Sequence, residues 1–127
     1  MLQLIPNFII LAVAHCIADF PLQGNFLSEY KSKNNYILLV HCLIYAGFVS
    51  YVFGWLYRFY NIDYVFILLL VSHYIIDKFK CIMRDIISRD SGTKYNEETV
   101  EYIEKSSLYI DQAAHYIFIA VAMFLFG

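Results

Sequence analysis

The chain has 127 residues, of which 61% are apolar when tyrosine is counted and 16% are charged, with a net charge of −2. A small domain leaves about 40% of its unfolded-chain surface in contact with solvent, and soluble domains are about 25% charged, so this much apolar surface points to lipid as the solvent. The near-neutral charge with no basic run excludes a nucleic-acid partner, and three cysteines (Cys16, Cys42 and Cys81) without framework spacing exclude a disulfide scaffold.

Four segments approach the ~20 apolar residues that cross roughly 30 Å of hydrocarbon. The first covers about 3–22. It has no cationic leader region and carries His15 and Asp19, so it is expected to stay on the protein as a span rather than be removed as a signal peptide. A polar loop, 23–35, contains Glu29, Lys31, Lys33, Asn34 and Asn35. The second and third spans, about 36–58 and 62–83, are separated by only a few residues near Arg58, Asn61 and Asp63, which predicts a tight antiparallel hairpin. The hydrophilic stretch 84–106 reads as a turn at Arg89-Asp90-Ser91-Gly92-Thr93. A short cytoplasmic helix then starts at Asn96, with Glu97 and Glu98 against its positive dipole end. That helix either lies on the membrane surface or runs into the fourth span, about 107–126. The expected fold is an all-α membrane protein, a four-transmembrane-helix up-down bundle forming a single polytopic domain over residues 1–127.

Eight of the nine Lys and Arg residues fall on one side of this topology, with Arg58 alone on the other. Cationic residues near span ends are retained in the cytoplasm. The loops 23–35 and 84–106 are therefore placed there and both termini outside. Tyr57, Phe59, Tyr60 and Tyr64 suit the outer interface, and the other tyrosines suit packing or lipid-facing positions.

Each span carries groups that lipid cannot satisfy, and a central Asp costs about 2.5 to 3.5 kcal/mol on insertion scales. His15/Asp19, His73/Asp77 and Asp111/His115 are i,i+4 pairs, each on one helical face. The order reverses in the fourth span, which runs the opposite way, so in space the pairs register. Counting about 1.5 Å per residue puts the three carboxylates just inside the cytoplasmic boundary and the three imidazoles, with His41, one turn deeper. Ile37 occupies the place of a fourth carboxylate, leaving an expected opening beside span two. Mixed imidazole and carboxylate donors suit a divalent transition metal, zinc before manganese or iron, as one or two ions. The candidate ligands are His15, Asp19, His41, His73, Asp77, Asp111 and His115; Asp19 and Asp77 are candidate general bases, and Gln23, Lys78 and Gln112 candidate groups at a substrate mouth. A proton or ion relay and a purely structural polar core are the competing readings of the same residues. Cys16 and Cys42 follow histidines, diverge by about 100° and read as small buried hydrophobes.

The segments His15-Cys-Ile-Ala-Asp19-Phe-Pro-Leu-Gln23, Leu39-Val-His41, His73-Tyr-Ile-Ile-Asp77-Lys78 and Asp111-Gln112-Ala-Ala-His115 together resemble the bacterial and phage membrane-protein family known as domain of unknown function 3307. The resemblance spans nearly the whole chain and implies a small polytopic helical protein of the inner membrane. The site is also loosely similar to membrane-bound metal-dependent hydrolases that place His and Asp on transmembrane helices, an analogy of site alone. The expected function is metal-dependent hydrolysis of a lipid-like or amphipathic substrate. Two alternatives stand beside it: a carrier of ions, protons or small solutes that works as a homo-oligomer, and a membrane-anchored adaptor that binds a cytoplasmic partner through 84–106.

Overall fold

A computed structural model describes residues 3–22, 24–90 and 96–127. Among the described residues there are five helices: α1 (Leu4–Asp19), α2 (Gly24–Tyr30), α3 (Asn35–Tyr57), α4 (Ile62–Asp90) and α5 (Glu97–Phe126). Local chemistry sets their ends. Helix α1 ends at Asp19 because Pro21 has no N–H to continue the ladder, and the Leu22 N–H bonds the Ile17 carbonyl in its place at 3.1 Å. Gly24, at φ +65°, opens α2 from a conformation in which side-chain-bearing residues are strained. The Asn34 side chain caps α3 by accepting from the Tyr36 N–H at 2.8 Å, and Asn96 caps α5 by accepting from the Thr99 N–H at 2.8 Å. Between α3 and α4 the chain reverses within residues 58–61, where Arg58, Phe59 and Asn61 all take positive φ. A methyl group at Gly54 would meet the Phe59 ring at 2.5 Å, so this turn closes only over a glycine.

Helices α1, α3, α4 and α5 form a ring. Helix α3 packs on α1 and α4, and α5 packs on α4 and α1; α1 and α4 lie across the diagonal, and α2 rests on α3. The ring has two unlike halves inside. One is an apolar core of Leu11, Val49, Phe53, Val65, Leu69, Ile119 and Met123. The other is polar and buried, holding all four histidines with Asp19, Asp77 and Asp111. The outside is the reverse: Trp55 is 76% exposed, Tyr109 76% and Phe124 87%.

Three sequence expectations change. The polar segment 23–35 is largely the helix α2, not only a loop. The hydrophilic stretch 84–106 carries no separate short helix among the described residues. Helix α4 continues to Asp90 and α5 begins at Glu97, so the helix starting at Asn96 runs directly into the fourth segment. Buried Ile87 and half-buried Val100 and Ile103 keep an apolar stripe on these extensions, and Glu101–Lys105 adds an i,i+4 ion pair at 2.7 Å. Arg89 and Asp90, expected in a turn, are helical, while residues 91–93 of that turn lie outside the described residues. Finally, two helices rather than four among the described residues, Asn35–Tyr57 and Glu97–Phe126, are long and apolar enough to cross a membrane. The 16 residues of α1 reach only about 24 Å at 1.5 Å per residue. In α4 the charges at Asp77, Lys78, Lys80, Arg84 and Asp85 dilute an apolar first half.

Candidate metal centre

The i,i+4 spacing works as expected on α4 and α5. His73 and Asp77 present Nε2 and Oδ2 3.6 Å apart, and Asp111 and His115 present Oδ1 and Nε2 3.5 Å apart. Helix α3 adds His41 and α1 adds Asp19. His41 Nε2 lies 3.0 Å from His73 Nε2, 3.3 Å from Asp19 Oδ1 and 3.3 Å from Asp77 Oδ2. His73 Nε2 is 3.7 Å from Asp19 Oδ1. Asp77 also faces the other way, its Oδ1 3.6 Å from His115 Nε2. The result is two donor sets, Asp19/His41/His73/Asp77 and Asp77/Asp111/His115, joined through the two oxygens of Asp77.

These residues fit a divalent ion on two observations. First, metal–ligand distances of about 2.0 to 2.2 Å at tetrahedral angles imply ligand–ligand edges of about 3.3 to 3.6 Å, and the separations within the first set that involve His41 or His73 run from 3.0 to 3.7 Å. Second, the buried Asp19 Oδ1, Asp111 Oδ1 and His115 Nε2 make no well-directed hydrogen bond and face imidazole or carboxylate atoms across 3.3 to 3.6 Å, which leaves lone pairs free for a cation. The outer nitrogens of His41 and His73 also lack partners, so packing holds the rings. Tyr45 stacks on His73 with ring centroids 3.7 Å apart and an 18° interplanar angle.

His15 departs from its expected role. It is fully buried but falls in neither donor set. The Gln112 amide nitrogen donates to Asp19 Oδ2 at 3.2 Å and to Asp111 Oδ2 at 3.3 Å, which turns its oxygen toward His15 Nε2 at 2.8 Å. A carbonyl oxygen only accepts, so Nε2 carries the His15 proton and Nδ1 accepts from the Tyr45 hydroxyl at 3.0 Å. The chain Tyr45–His15–Gln112–Asp19 is thus satisfied internally, and Gln112 orients a carboxylate of the cluster.

Two lysines close the cluster from outside. Lys31, carried by the turn after α2, places Nζ 3.0 Å from Asp77 Oδ2 and 3.5 Å from His41 Nε2. Lys80 donates to Asp111 Oδ2 at 2.7 Å. A cleft of about 200 Å³ leads to this point, bounded by Asp19, Asp77, Gln112, Lys31, Lys80 and Arg84. It opens among α1, α4, α5 and the 31–32 turn, not beside Ile37 on α3, because Lys31 covers the His41 side.

The expected mouth residues divide. Gln112 lines the cleft. Lys78 is turned away and donates to Asn35 Oδ1 at 2.6 Å on the exposed surface, since one residue along a helix is a rotation of about 100°. Gln23 lies outside the described residues. Sequence reasoning missed Tyr45, although it stands i+4 from His41 on the same face of α3, a spacing identical to that of the three pairs it did use. It also missed Lys31, whose approach depends on the path of α2 and has no sequence signal. All three cysteines are free; Cys16 Sγ meets the Tyr116 hydroxyl at 3.3 Å, away from both donor sets.

The fold and this cluster define an all-helical protein whose buried His and Asp side chains can hold a metal ion. Residues 7–127 match the family described as protein of unknown function (DUF3307), and the chain belongs to that family. No curated protein and no solved structure matches the chain.

Proposed function

We propose that the chain is a four-span membrane protein in which His41, His73 and Asp77 hold a divalent transition metal, zinc before manganese or iron, for the hydrolysis of an ester bond in an amphipathic substrate. Supporting four spans, α1 and α4 share the ring with the two longer apolar helices. Their outward residues Ile5, Ile9, Val13, Ile67, Val71 and Ile75 are exposed, while every histidine is inside. The metal end is the cytoplasmic end by the distribution of Lys and Arg, with both termini outside.

The observation that carries the reading is the convergence of buried imidazole and carboxylate donors from four helices beside a cleft that Asp19 and Asp77 line. In this reading Asp19, the fourth member of the donor set, serves as a base while His41, His73 and Asp77 would hold the ion, three protein ligands being the number found at catalytic rather than structural sites. Bound there, the ion supplies Lewis acidity toward the ester oxygen. Asp19 lines the cleft and has one oxygen unpartnered, so it is the group placed to accept a proton from the attacking water, while Gln112 fixes its other oxygen. In balance, a water O–H bond breaks and its oxygen joins the acyl carbon or phosphorus. The bond to the leaving alkoxide breaks, and the proton held by Asp19 passes to that alkoxide. The second donor set, Asp77/Asp111/His115, would hold a second ion.

The test is Asp19→Asn in detergent-purified protein, with p-nitrophenyl carboxylate and phosphate esters as probes and metal content measured in parallel. We expect the variant to keep its ion and lose about 10²- to 10⁴-fold in turnover, the range for a general base. Metal-loaded wild type that cleaves none of the esters but passes ions across liposomes would overturn the hydrolytic reading in favour of a carrier.

A further inference from the structure

The mouth of the cleft is unusually cationic for a site so close to buried acids. Lys31, Lys80 and Arg84 line or edge it. The neighbouring buried carboxylates are Asp19, Asp77 and Asp111, with Lys31 on Asp77 at 3.0 Å and Lys80 on Asp111 at 2.7 Å. With neutral imidazoles the formal charges of three cations and three carboxylates cancel, Lys31 and Lys80 by direct pairing with Asp77 and Asp111 and Arg84 from the exposed edge of the cleft. A divalent ion held by His41, His73 and Asp77 breaks that balance. It takes the Asp77 oxygen that Lys31 now holds and adds two positive charges, leaving a surplus of two beside a cleft open to solvent.

We propose that this cleft is the binding site for a dianionic phosphate group, the terminal phosphate of a phosphomonoester, with Lys31, Lys80 and Arg84 as its cationic contacts. The inference rests on the metal reading above and sharpens it. A neutral carboxylic ester leaves the surplus uncompensated, whereas a phosphate dianion cancels it and offers three oxygens to ammonium and guanidinium donors. Lys31 then serves in two settings, paired with Asp77 when no ion is held and free to meet the anion when one is. Phe20 and Leu108, which also line the cleft, give it apolar surface for the rest of an amphiphile.

The experiment is calorimetric titration of inorganic phosphate into the full chain in neutral detergent, metal-loaded and metal-stripped, for wild type, Lys80→Gln and Arg84→Gln, with metal content measured on every sample. We expect saturable phosphate binding by the loaded protein. Stripping should weaken it, and each substitution should weaken it about 10-fold, the effect of one charge-assisted hydrogen bond, without changing metal content. Loaded wild type that holds its ion yet ignores phosphate, or variants that bind phosphate as wild type does, overturns the phosphate site alone. A chain that holds no ion overturns the metal reading and this inference with it. Competition by glycerol phosphate and by short-chain phosphatidate then separates the sources: stronger competition by phosphatidate assigns a lipid headgroup, and equal competition a soluble phosphomonoester.

Discussion

His15 and His73 are the same residue type, both fully buried and each four residues before an aspartate on its helix, yet they sit in opposite chemical situations. Both nitrogens of His15 are used, by Tyr45 and by Gln112. Around His73, His41 and His115 the nitrogens instead crowd against carboxylate oxygens and one another, and several buried donor atoms have no partner. Sequence spacing brings side chains to a face, but the third partner decides what they become. A glutamine amide makes the first histidine a structural strut, and its absence leaves the others exposed to whatever cation the cleft admits.

The largest expected effect that separates these regions is from Asp77→Asn or His73→Ala. Each removes a direct contact of the cluster, and we expect metal affinity to fall by more than ~100-fold, beyond what loss of an outer partner costs. Equilibrium dialysis against buffered zinc reads this directly. Next, stripping the ion with a chelator should lower the melting temperature of wild type by the loss of linked binding energy, about 2.7 kcal/mol when the ion was present at 100-fold over its Kd. The same treatment should leave His73→Ala unchanged in a thermal melt. Smaller again, His15→Ala should cost about 1 to 3 kcal/mol of stability by orphaning the Tyr45 hydroxyl and the Gln112 oxygen, while metal content stays at the wild-type level. If His15→Ala empties the site as His73→Ala does, the distinction between the two regions is wrong. The smallest effect belongs to Tyr45→Phe, which removes one hydrogen bond and keeps the stack on His73. About 1 kcal/mol of stability and no change in metal content are expected from denaturant titration and elemental analysis.

Much of this arrangement was legible before any coordinates. The three i,i+4 pairs and the reversed order on the last helix follow from periodicity alone; five of their six residues, with His41, make up the two donor sets, and His15 falls outside them. What was not legible depended on tertiary direction. Gln112 points inward and Lys78 outward through rotations of about 100° on their helices. Lys31 reaches Asp77 only because α2 returns the chain across the end of the ring. Tyr45 has the same i+4 spacing from His41, but with 12 tyrosines in the chain that spacing does not single it out. At the level of fold, charge and length blurred the reading. The hydrophilic stretch 84–106 looked like loop because its apolar positions are few, although they recur at helical spacing. Helix α1 looked like a full span until Pro21 was seen to end it at Asp19.

The central claim, that the buried His/Asp cluster is a metal centre, is tested most directly by elemental analysis of the full chain purified in detergent without chelator, beside a His41→Ala/His73→Ala double variant prepared identically. The account predicts about one divalent transition-metal ion per chain, or two if both donor sets fill, in wild type and background levels in the variant. Background levels in both, persisting after incubation with zinc, manganese and ferrous iron, would contradict it.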